Sequence, residues 1–289
     1  MTEIQIEDVV VAGVRSAVRM GGDRDAEEAV VLLHGNPGSS EDWLDLLPRI
    51  ADFARVIAPD MPGYGKADRS ESFDYTVEGY ARHLTGILEQ LGVKRAHLVL
   101  HDFGGPWGFQ WAADHGAQIA SLTLLNIGAL PGYSWHKFAI IWRTPILGEL
   151  FNFGATRGAF GFLLNADNPK PFPKAFIDRV FNDTDNGSKR AILKLYRATP
   201  DPGGLTVALA ERLQPLRLPA LVVWGDGDKY LPVRFAQAQA QYFNAQVHVL
   251  PNVGHWPMID EPERVRELVL PFLRAQVRSA GQGVTDLHP

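Results

Sequence analysis

The chain has 289 residues, 46% of them hydrophobic and 21% charged, a composition typical of a folded globular protein rather than a disordered one. Its formal net charge is −5 and like charges do not run together, so we expect no nucleic-acid partner. Cysteine is absent, which excludes disulfides and thiolate metal sites, and no apolar stretch is long enough to span a bilayer. We therefore expect a cytoplasmic protein without a membrane partner, and the oligomeric state stays open.

Short apolar runs alternate with helical patterns along the chain, which predicts an α/β fold with a mostly parallel sheet covered by helices. One or two antiparallel strands are predicted to lead the sheet within residues 9–19. A helix is predicted over residues 76–91, which have apolar residues at helical spacing and Gly92 as a stop, and a closing helix over 263–277. The remaining predicted strands are residues 29–33, 55–58, 96–100, 119–125, 220–224 and 246–250.

Residues 128–213 interrupt this alternation, because they contain many aromatics and several prolines but no convincing strand. A segment of this length cannot be a structureless loop inside a compact domain. We predict a helical cap, inserted after the sixth strand, over the carboxyl ends of the strands, where open α/β sheets bind their ligands. The chain then divides into a core domain of residues 1–127 and 214–280, the cap, and a disordered tail of residues 281–289.

The predicted strand 96–100 leads directly into Asp102, which is followed by the paired glycines Gly104 and Gly105 and a helical pattern. This strand–turn–helix context is that of a nucleophile elbow, whose tight turn requires small neighbours. A helix N-terminus behind Asp102 favours its ionised carboxylate. Taken alone, the position is explained equally well by an N-cap role for Asp102.

Two further motifs favour the catalytic interpretation. Asp228 ends a Gly-x-x-Asp motif after one predicted strand, and His255 ends a Gly-His motif after the next. The chain order Asp102, Asp228, His255 is the order of nucleophile, acid and histidine in hydrolases built on an elbow.

The loop after the first core strand, His34-Gly-Asn-Pro-Gly, lies where such an enzyme completes its oxyanion hole. The two donors are predicted to be the backbone amides of Asn36 and Phe103, the residue that follows the nucleophile. We assign His34 itself to stabilising the turn.

With these motifs in order, the chain resembles the α/β-hydrolase superfamily from residue 29 to about 273. The aspartate at the elbow resembles the branch that contains epoxide hydrolases, haloalkane dehalogenases and haloacetate dehalogenases. The resemblance implies that Asp102 attacks a tetrahedral carbon and forms an ester, and that a water activated by His255 hydrolyses it. Asp228 orients the imidazole, and neither a metal nor an organic cofactor is required.

An epoxide substrate needs a proton donor at its oxygen, and in epoxide hydrolases the cap supplies tyrosines. The segment Leu195-Tyr196-Arg197 resembles the Trp-Tyr-Arg segment of those enzymes, which makes Tyr196 the first choice and Tyr133 a second. Packing of Tyr196 in the core is an equally good explanation of the pattern.

A halide instead needs N–H donors. Asn36 and Leu100 resemble the residues of haloalkane dehalogenases at these positions, but Phe103 has no side-chain N–H where those enzymes often have tryptophan. Trp135 and His136 could bind a halide as in haloacetate dehalogenases, although aromatic packing also explains them.

We therefore predict an epoxide hydrolase acting on a small molecule, with a haloalkane or haloacetate dehalogenase as the alternative. The alternative from a different class is a non-catalytic ligand-binding protein of the same fold.

Overall fold

In the computed structural model, which describes residues 2–282, the centre of the molecule is an eight-stranded sheet of order β1-β2-β4-β3-β5-β6-β7-β8. The β1–β2 and β2–β4 pairs are antiparallel, and the other pairs are parallel. The strands are β1 (Gln5–Val11), β2 (Val14–Gly21), β3 (Glu28–Leu33), β4 (Arg55–Pro59), β5 (Arg95–His101), β6 (Ile119–Leu125), β7 (Pro219–Gly225) and β8 (Asn244–Leu250).

Helices cover both faces of the sheet and bury it in two separate hydrophobic clusters. One face is covered by α2 and α3 and the other by α1 and α12. The helices are α1 (Leu47–Ala51), α2 (Val77–Gln90), α3 (Gly104–Asp114), α4 (Lys137–Arg143), α5 (Leu147–Gly154), α6 (Arg157–Ala166), α7 (Lys174–Asp183), α8 (Asn186–Ala198), α9 (Pro202–Leu213), α10 (Arg234–Ala238), α11 (Pro257–Asp260) and α12 (Pro262–Gln282). No described helix is long and apolar enough to cross a bilayer.

Helices α4 to α9 lie between β6 and β7 in the chain, in the segment predicted as the cap. The last of them, α9, packs on α3 and so joins the cap to the helical layer of the core. Its start is set by Asp201, whose side chain accepts a hydrogen bond from the Gly204 amide at 2.9 Å.

The predicted strands and long helices lie within a few residues of the observed ones. The antiparallel pair begins earlier than predicted, at Gln5, because β1 is largely exposed and lacks a continuous apolar run. Helix α12 continues to Gln282 and so includes the first two residues of the predicted tail 281–289. The rest of that tail lies outside the described residues.

The strand order reverses direction at β3, which lies between β4 and β5. The loops that follow β3 and β5 therefore diverge, and a crevice opens above the carboxyl ends of these strands. Asn36 follows β3 and Asp102 follows β5 at this point. The fold thus brings two separate predicted motifs to one place.

Candidate active site

Asp102 occupies a sharp turn between β5 and α3, with a left-handed backbone angle φ of 47°. The turn requires glycines around it, because the chain segments approach very closely. A Cβ atom on Gly35 would lie 2.3 Å from Asp102, and one on Gly104 would lie 2.2 Å from the carbonyl oxygen of Leu33. The carboxylate is therefore presented at the end of the strand by a strained elbow.

The two oxygens of this carboxylate have different surroundings. Oδ1 accepts a hydrogen bond from the Asn36 amide at 2.6 Å, and Oδ2 lies 3.4 Å from Nε2 of His255. Phe103, the other predicted oxyanion-hole residue, lies at the N-terminus of α3, and its amide makes no hydrogen bond to this carboxylate. Oδ2 is thus the oxygen that faces the histidine.

The imidazole of His255 is held from its other side by Asp228. Its Nδ1 donates to Oδ2 of Asp228 at 2.7 Å, and both side chains are buried. The second carboxylate oxygen of Asp228 accepts the amides of Tyr230 at 2.8 Å and Leu231 at 2.9 Å. Because Asp228 is fixed by the backbone, the histidine is held with Nε2 directed at Asp102.

Asn126, which the sequence motifs did not indicate, completes this arrangement. Its Nδ2 donates to Asp228 at 2.7 Å and to the Gly254 carbonyl at 3.2 Å, while its Oδ1 accepts the Gly225 amide at 3.0 Å. Asn126 follows β6 with a φ of 47°, a conformation that asparagine tolerates. A polar residue directly after an apolar strand was the available signal.

Burial and charge oppose each other at the catalytic groups. Burial by itself raises the pKa of Asp102, but the hydrogen bond and charge of His255 and the Asn36 amide hold that pKa below its usual range. Burial by itself lowers the pKa of His255, but Asp228 and Asp102 together raise it well above the usual value. The site at neutral pH is an imidazolium between two carboxylates.

A cavity of about 430 Å³ opens beside Asp102 and His255, with walls that are mainly aromatic and aliphatic. Tyr196, Tyr133, Trp135 and His136 from the predicted cap all line it. The structure therefore places every residue selected from the predicted cap in the wall of the cavity that Asp102 also lines. No serine lines this cavity in the described part of the chain.

The two tyrosines keep their protons. Burial and the negative charge of Asp102 raise the pKa of both Tyr196 and Tyr133. The Tyr196 hydroxyl accepts a hydrogen bond from Nδ2 of Asn36 at 3.2 Å, and the buried Tyr133 hydroxyl makes no hydrogen bond with the described residues. Both phenols can therefore donate to a ligand in the cavity.

Trp135 uses its side-chain N–H within the predicted cap, and His136 uses one of its two ring nitrogens there. Nε1 of Trp135 donates to the Thr199 carbonyl at 2.9 Å, and Nδ1 of His136 accepts the Ala139 amide at 3.3 Å as the N-cap of α4. Burial lowers the pKa of His136 to about 4, so the ring is neutral at pH 7. These two residues offer the cavity mainly aromatic surface.

His34 lies beneath the site and makes no contact with the cavity. Its Nε2 accepts the Met61 amide at 3.0 Å and its Nδ1 donates to the Gly35 carbonyl at 2.9 Å. It ties the loop after β3 to the loop after β4. This geometry agrees with a structural role. The described residues contain no group of three or more acidic or histidine side chains arranged to hold a metal ion.

The profile of the family described as alpha/beta hydrolase fold matches residues 28–262. The chain belongs to this family. A 2-hydroxy-6-oxononadienedioate/2-hydroxy-6-oxononatrienedioate hydrolase of Burkholderia vietnamiensis is 27% identical over 283 residues, covering 92% of this chain and 94% of that protein. Epoxide hydrolase 3 of Xenopus tropicalis is 25% identical over 290 residues, covering 91% of this chain and 76% of that protein.

Among solved structures, a serine hydrolase involved in carbazole degradation, the CarC enzyme, has a TM-score of 0.76 at 26% identity. The match covers 94% of this chain and 100% of that one. The family and these relatives make the protein a hydrolase of the α/β fold. The relatives differ in substrate, so the reaction of this α/β-hydrolase must be argued from its own residues.

Proposed function

We propose that this α/β-hydrolase converts epoxides to vicinal diols through an ester on Asp102. The observation that carries the proposal is that two protonated phenols, Tyr196 and Tyr133, line the same cavity as the carboxylate. An epoxide is the substrate that needs a carboxylate nucleophile and a phenol together. Its leaving oxygen stays in the molecule and must be protonated as the ring opens.

In the first step, Oδ2 of Asp102 uses a lone pair to form a bond with one epoxide carbon. The carbon–oxygen bond of the ring breaks, and its electron pair goes to the oxygen, which takes the proton of the Tyr196 or Tyr133 hydroxyl. The phenolate regains a proton from solvent. Oδ1 stays with the Asn36 amide and becomes the carbonyl oxygen of the ester.

In the second step, a water molecule attacks the ester carbonyl carbon while its proton passes to Nε2 of His255. Oδ1 takes the negative charge and is stabilised by the Asn36 amide, joined by that of Phe103. The tetrahedral intermediate collapses, the bond to the alkyl oxygen breaks, and that oxygen takes the proton from His255. The collapse leaves Asp102 as a carboxylic acid, which gives its proton to Nε2 of His255. The diol leaves, and the resting pair of carboxylate and imidazolium is restored.

The charges of Asp102 and His255 determine the order of these two steps. His255 is protonated in the resting site because Asp102 and Asp228 both raise its pKa. Ester formation removes the charge of Asp102, which lowers the pKa of His255 and favours the neutral base. His255 then releases its proton to solvent, so that the histidine is a neutral base when the ester is present.

A dehalogenase reaction has less support from this cavity. A departing halide needs free N–H donors, but Phe103 has none in its side chain and Trp135 donates to the Thr199 carbonyl. Nδ2 of Asn36 is a donor near the carboxylate, but it already contacts Tyr196. Nε2 of His136 is a second donor in the cavity wall, because Nδ1 of this neutral ring accepts the Ala139 amide. Asn36 and His136 keep the dehalogenase as the second candidate.

The dicarboxylate named for the Burkholderia relative also has less support as a substrate here. Lys189 is the one lysine or arginine among the described residues that line the cavity, while most of the lining is apolar. A buried carboxylate requires a charged or hydrogen-bonding partner. The elbow also carries Asp102 in place of a serine hydroxyl.

The test uses the variant His255→Gln, which keeps the nucleophile and removes the base. We expect the ester to accumulate when this variant is mixed with styrene oxide, because ester formation and ester hydrolysis depend on different residues. Intact mass spectrometry should show a gain of the whole epoxide mass, located on the peptide that contains Asp102. The double variant Asp102→Asn/His255→Gln is the control and should take up no label.

The matched halide, (2-bromoethyl)benzene, has the same carbon skeleton and distinguishes the alternatives. If only the bromide forms an adduct, with release of free bromide, the proposed epoxide hydrolase would be wrong and the dehalogenase would be favoured. If neither compound forms an adduct and the wild type turns over neither of them, the result would favour the alternative of a non-catalytic ligand-binding protein.

A further inference from the structure

The loop between α6 and α7, residues 167–173, lies against the chain segment that carries His255. A Cβ atom on Gly254, the residue before His255, would lie 1.7 Å from Oδ1 of Asn168 in this loop. The backbone of Gly254 does not adopt a positive φ, so a glycine is required here by the close approach of the loop. The glycine of the Gly-His motif thus makes room for a side chain of the predicted cap.

The next residue of the loop covers the segment that carries Asp228. A Cβ atom on Gly227, the residue before Asp228, would lie 2.2 Å from Cγ of Pro169. Nζ of Lys229, the residue after Asp228, donates to the carbonyl of Ala166 at 2.8 Å, where α6 ends. Two consecutive residues of one loop therefore cover the glycines that precede the candidate acid and the candidate histidine.

The side chain of Asn168 also reaches the His255 segment through a carboxylate. Its Nδ2 donates to Oδ1 of Asp260 at 2.9 Å and to Oδ2 at 3.1 Å. Oδ2 of Asp260 in turn accepts the Gly254 amide at 2.8 Å. The same Nδ2 donates to the Lys170 carbonyl at 2.8 Å, which fixes the buried asparagine within its own loop. A chain of hydrogen bonds thus runs from the predicted cap to the residue before the histidine.

The backbone at His255 is held by three side chains. The Gly254 amide donates to Asp260, and the Gly254 carbonyl accepts Nδ2 of Asn126 at 3.2 Å. The His255 carbonyl accepts Nε2 of His101 at 2.7 Å. His101 ends β5 and Asn126 follows β6, so these two belong to the sheet. Asp260 is the one of the three that a side chain of the predicted cap fixes.

We infer that Asn168 is a positioning residue for His255, which it holds through Asp260 and the Gly254 amide. This role rests on the proposed function, in which the neutral imidazole must face the water that attacks the ester. Misplacing a catalytic group by about 1 Å can slow its step by roughly 10²-fold. Ester formation needs the carboxylate of Asp102 and not the base. Loss of the contact should therefore slow ester hydrolysis far more than ester formation.

The test compares Asn168→Asp with the double variant Asn168→Asp/Asp260→Asn, using styrene oxide and single-turnover mass spectrometry. Asn168→Asp places a second carboxylate against Asp260, so ester hydrolysis should slow roughly tenfold or more while ester formation changes little. In the double variant, the amide at position 260 can donate to position 168 and accept the Gly254 amide. Hydrolysis should then recover to within about threefold of the wild-type rate.

The matched control is Asn165→Asp, which adds the same charge at the end of α6. Oδ1 of Asn165 accepts the Phe172 amide at 2.9 Å, and an aspartate oxygen can still accept it, so both steps should keep their wild-type rates. If circular dichroism shows Asn168→Asp unfolded, Asn168→Ala replaces it and should show the same difference between the steps. Equal slowing of both steps, no recovery in the double variant, or equal rates in Asn168→Asp and Asn165→Asp would overturn the role of Asn168.

A measurement without substrate separates this role from the proposed function. The Nδ1 proton of His255 lies in the hydrogen bond to Asp228, and its NMR resonance is identified by its loss in His255→Gln. The resonance should shift in Asn168→Asp, return in the double variant and stay in place in Asn165→Asp. If it does so while no protein forms an ester, the positioning role stands and the epoxide hydrolase is wrong. An unchanged resonance with unchanged ester hydrolysis would remove the positioning role alone.

Discussion

Asp102 and His255 hold each other in the charged state inside an apolar cavity. Each would favour its neutral form on burial alone, and each is shifted towards the ion by the other. Asp228 adds a second negative charge. It is held in position by four hydrogen bonds, which Asn126, His255 and two backbone amides donate. In the proposed mechanism, the nucleophile is therefore charged and ready at neutral pH, whereas the base must first lose a proton.

This coupling can be measured by NMR titration of the His255 side chain. Asp102→Asn should lower the pKa of His255, because one of the two carboxylates that raise it is removed. The stability contributed by a raised histidine pKa is present below the ordinary value and is lost as pH rises through the raised one. In the variant this contribution should therefore be smaller, and its loss should be complete at a lower pH. Asp114→Asn, at the far end of α3, is the control, and an unchanged His255 pKa in Asp102→Asn would contradict the coupling.

Tyr196 can be tested apart from the base. Tyr196→Phe should slow ester formation from styrene oxide by roughly 10²–10⁴-fold, which is the usual effect of a general acid. Ester hydrolysis should change little, and single-turnover mass spectrometry separates the two steps. Tyr80→Phe removes an equally buried hydroxyl that donates to the Pro62 carbonyl outside the cavity. Equal rates of ester formation in Tyr196→Phe and the wild type would assign Tyr196 to packing.

The candidate catalytic residues could be selected from the sequence because each follows a recognisable strand and glycine pattern. Asn126 could not, because its partners Asp228 and Gly254 are 102 and 128 residues away in the chain. Which hydrogen bonds Trp135 and His136 make was also beyond the sequence. Their partners are set by the packing of short helices, for which no local pattern exists.

At the scale of elements, helix α7 of the cap is fixed to the core by Arg179. Its guanidinium donates to Oγ of Ser39 at 2.7 Å and to Oδ1 of Asp42 at 2.5 Å. The Asp42 side chain is fully buried, and the arginine is 16% exposed. Ser39 lies just beyond the Asn36 loop, so the contact joins the predicted cap to the chain segment that supplies the proposed oxyanion-hole amide.

Removing this arginine should destabilise the protein. Arg179→Met leaves the buried Asp42 carboxylate without its cationic partner, which costs about 3 kcal/mol. Thermal unfolding should then occur roughly 5–10 °C lower than in the wild type. Lys174→Met is the control on the same helix, because it breaks only the exposed pair with Asp178. A similar small shift in both variants would show that the Arg179 contact contributes little.

The elements differed in how far they could be predicted. Strands β3, β5, β6 and β7 are buried along almost their whole length because helices cover both faces, so each appears as a short, mainly apolar run. Helix α5 could be placed only as part of a helical segment. Its Asn152 is buried while Leu147, Leu150 and Phe153 are exposed, which is the opposite of the pattern used to orient a helix.

At the scale of the whole molecule, the fold could be predicted because the order of motifs restricts it. A parallel sheet places the ends of its strands at one edge, so residues from β3, β5, β7 and β8 meet although they are far apart in the chain. The cavity volume depends on how six short helices pack against each other. That packing has no signature in a single sequence.

The cap leaves and rejoins the core at neighbouring strands, since β6 and β7 pair directly from Leu122 with Ala220 to Leu125 with Val223. Asp102, Asp228 and His255 all lie outside residues 128–213, whereas Tyr133 and Tyr196 lie within them. In the proposed mechanism, the nucleophile and the base are thus encoded in different stretches of the gene from the proton donors. An exchange of the inserted stretch between related genes would bring new proton donors and new cavity walls to an unaltered nucleophile and base, with both junctions a strand's width apart.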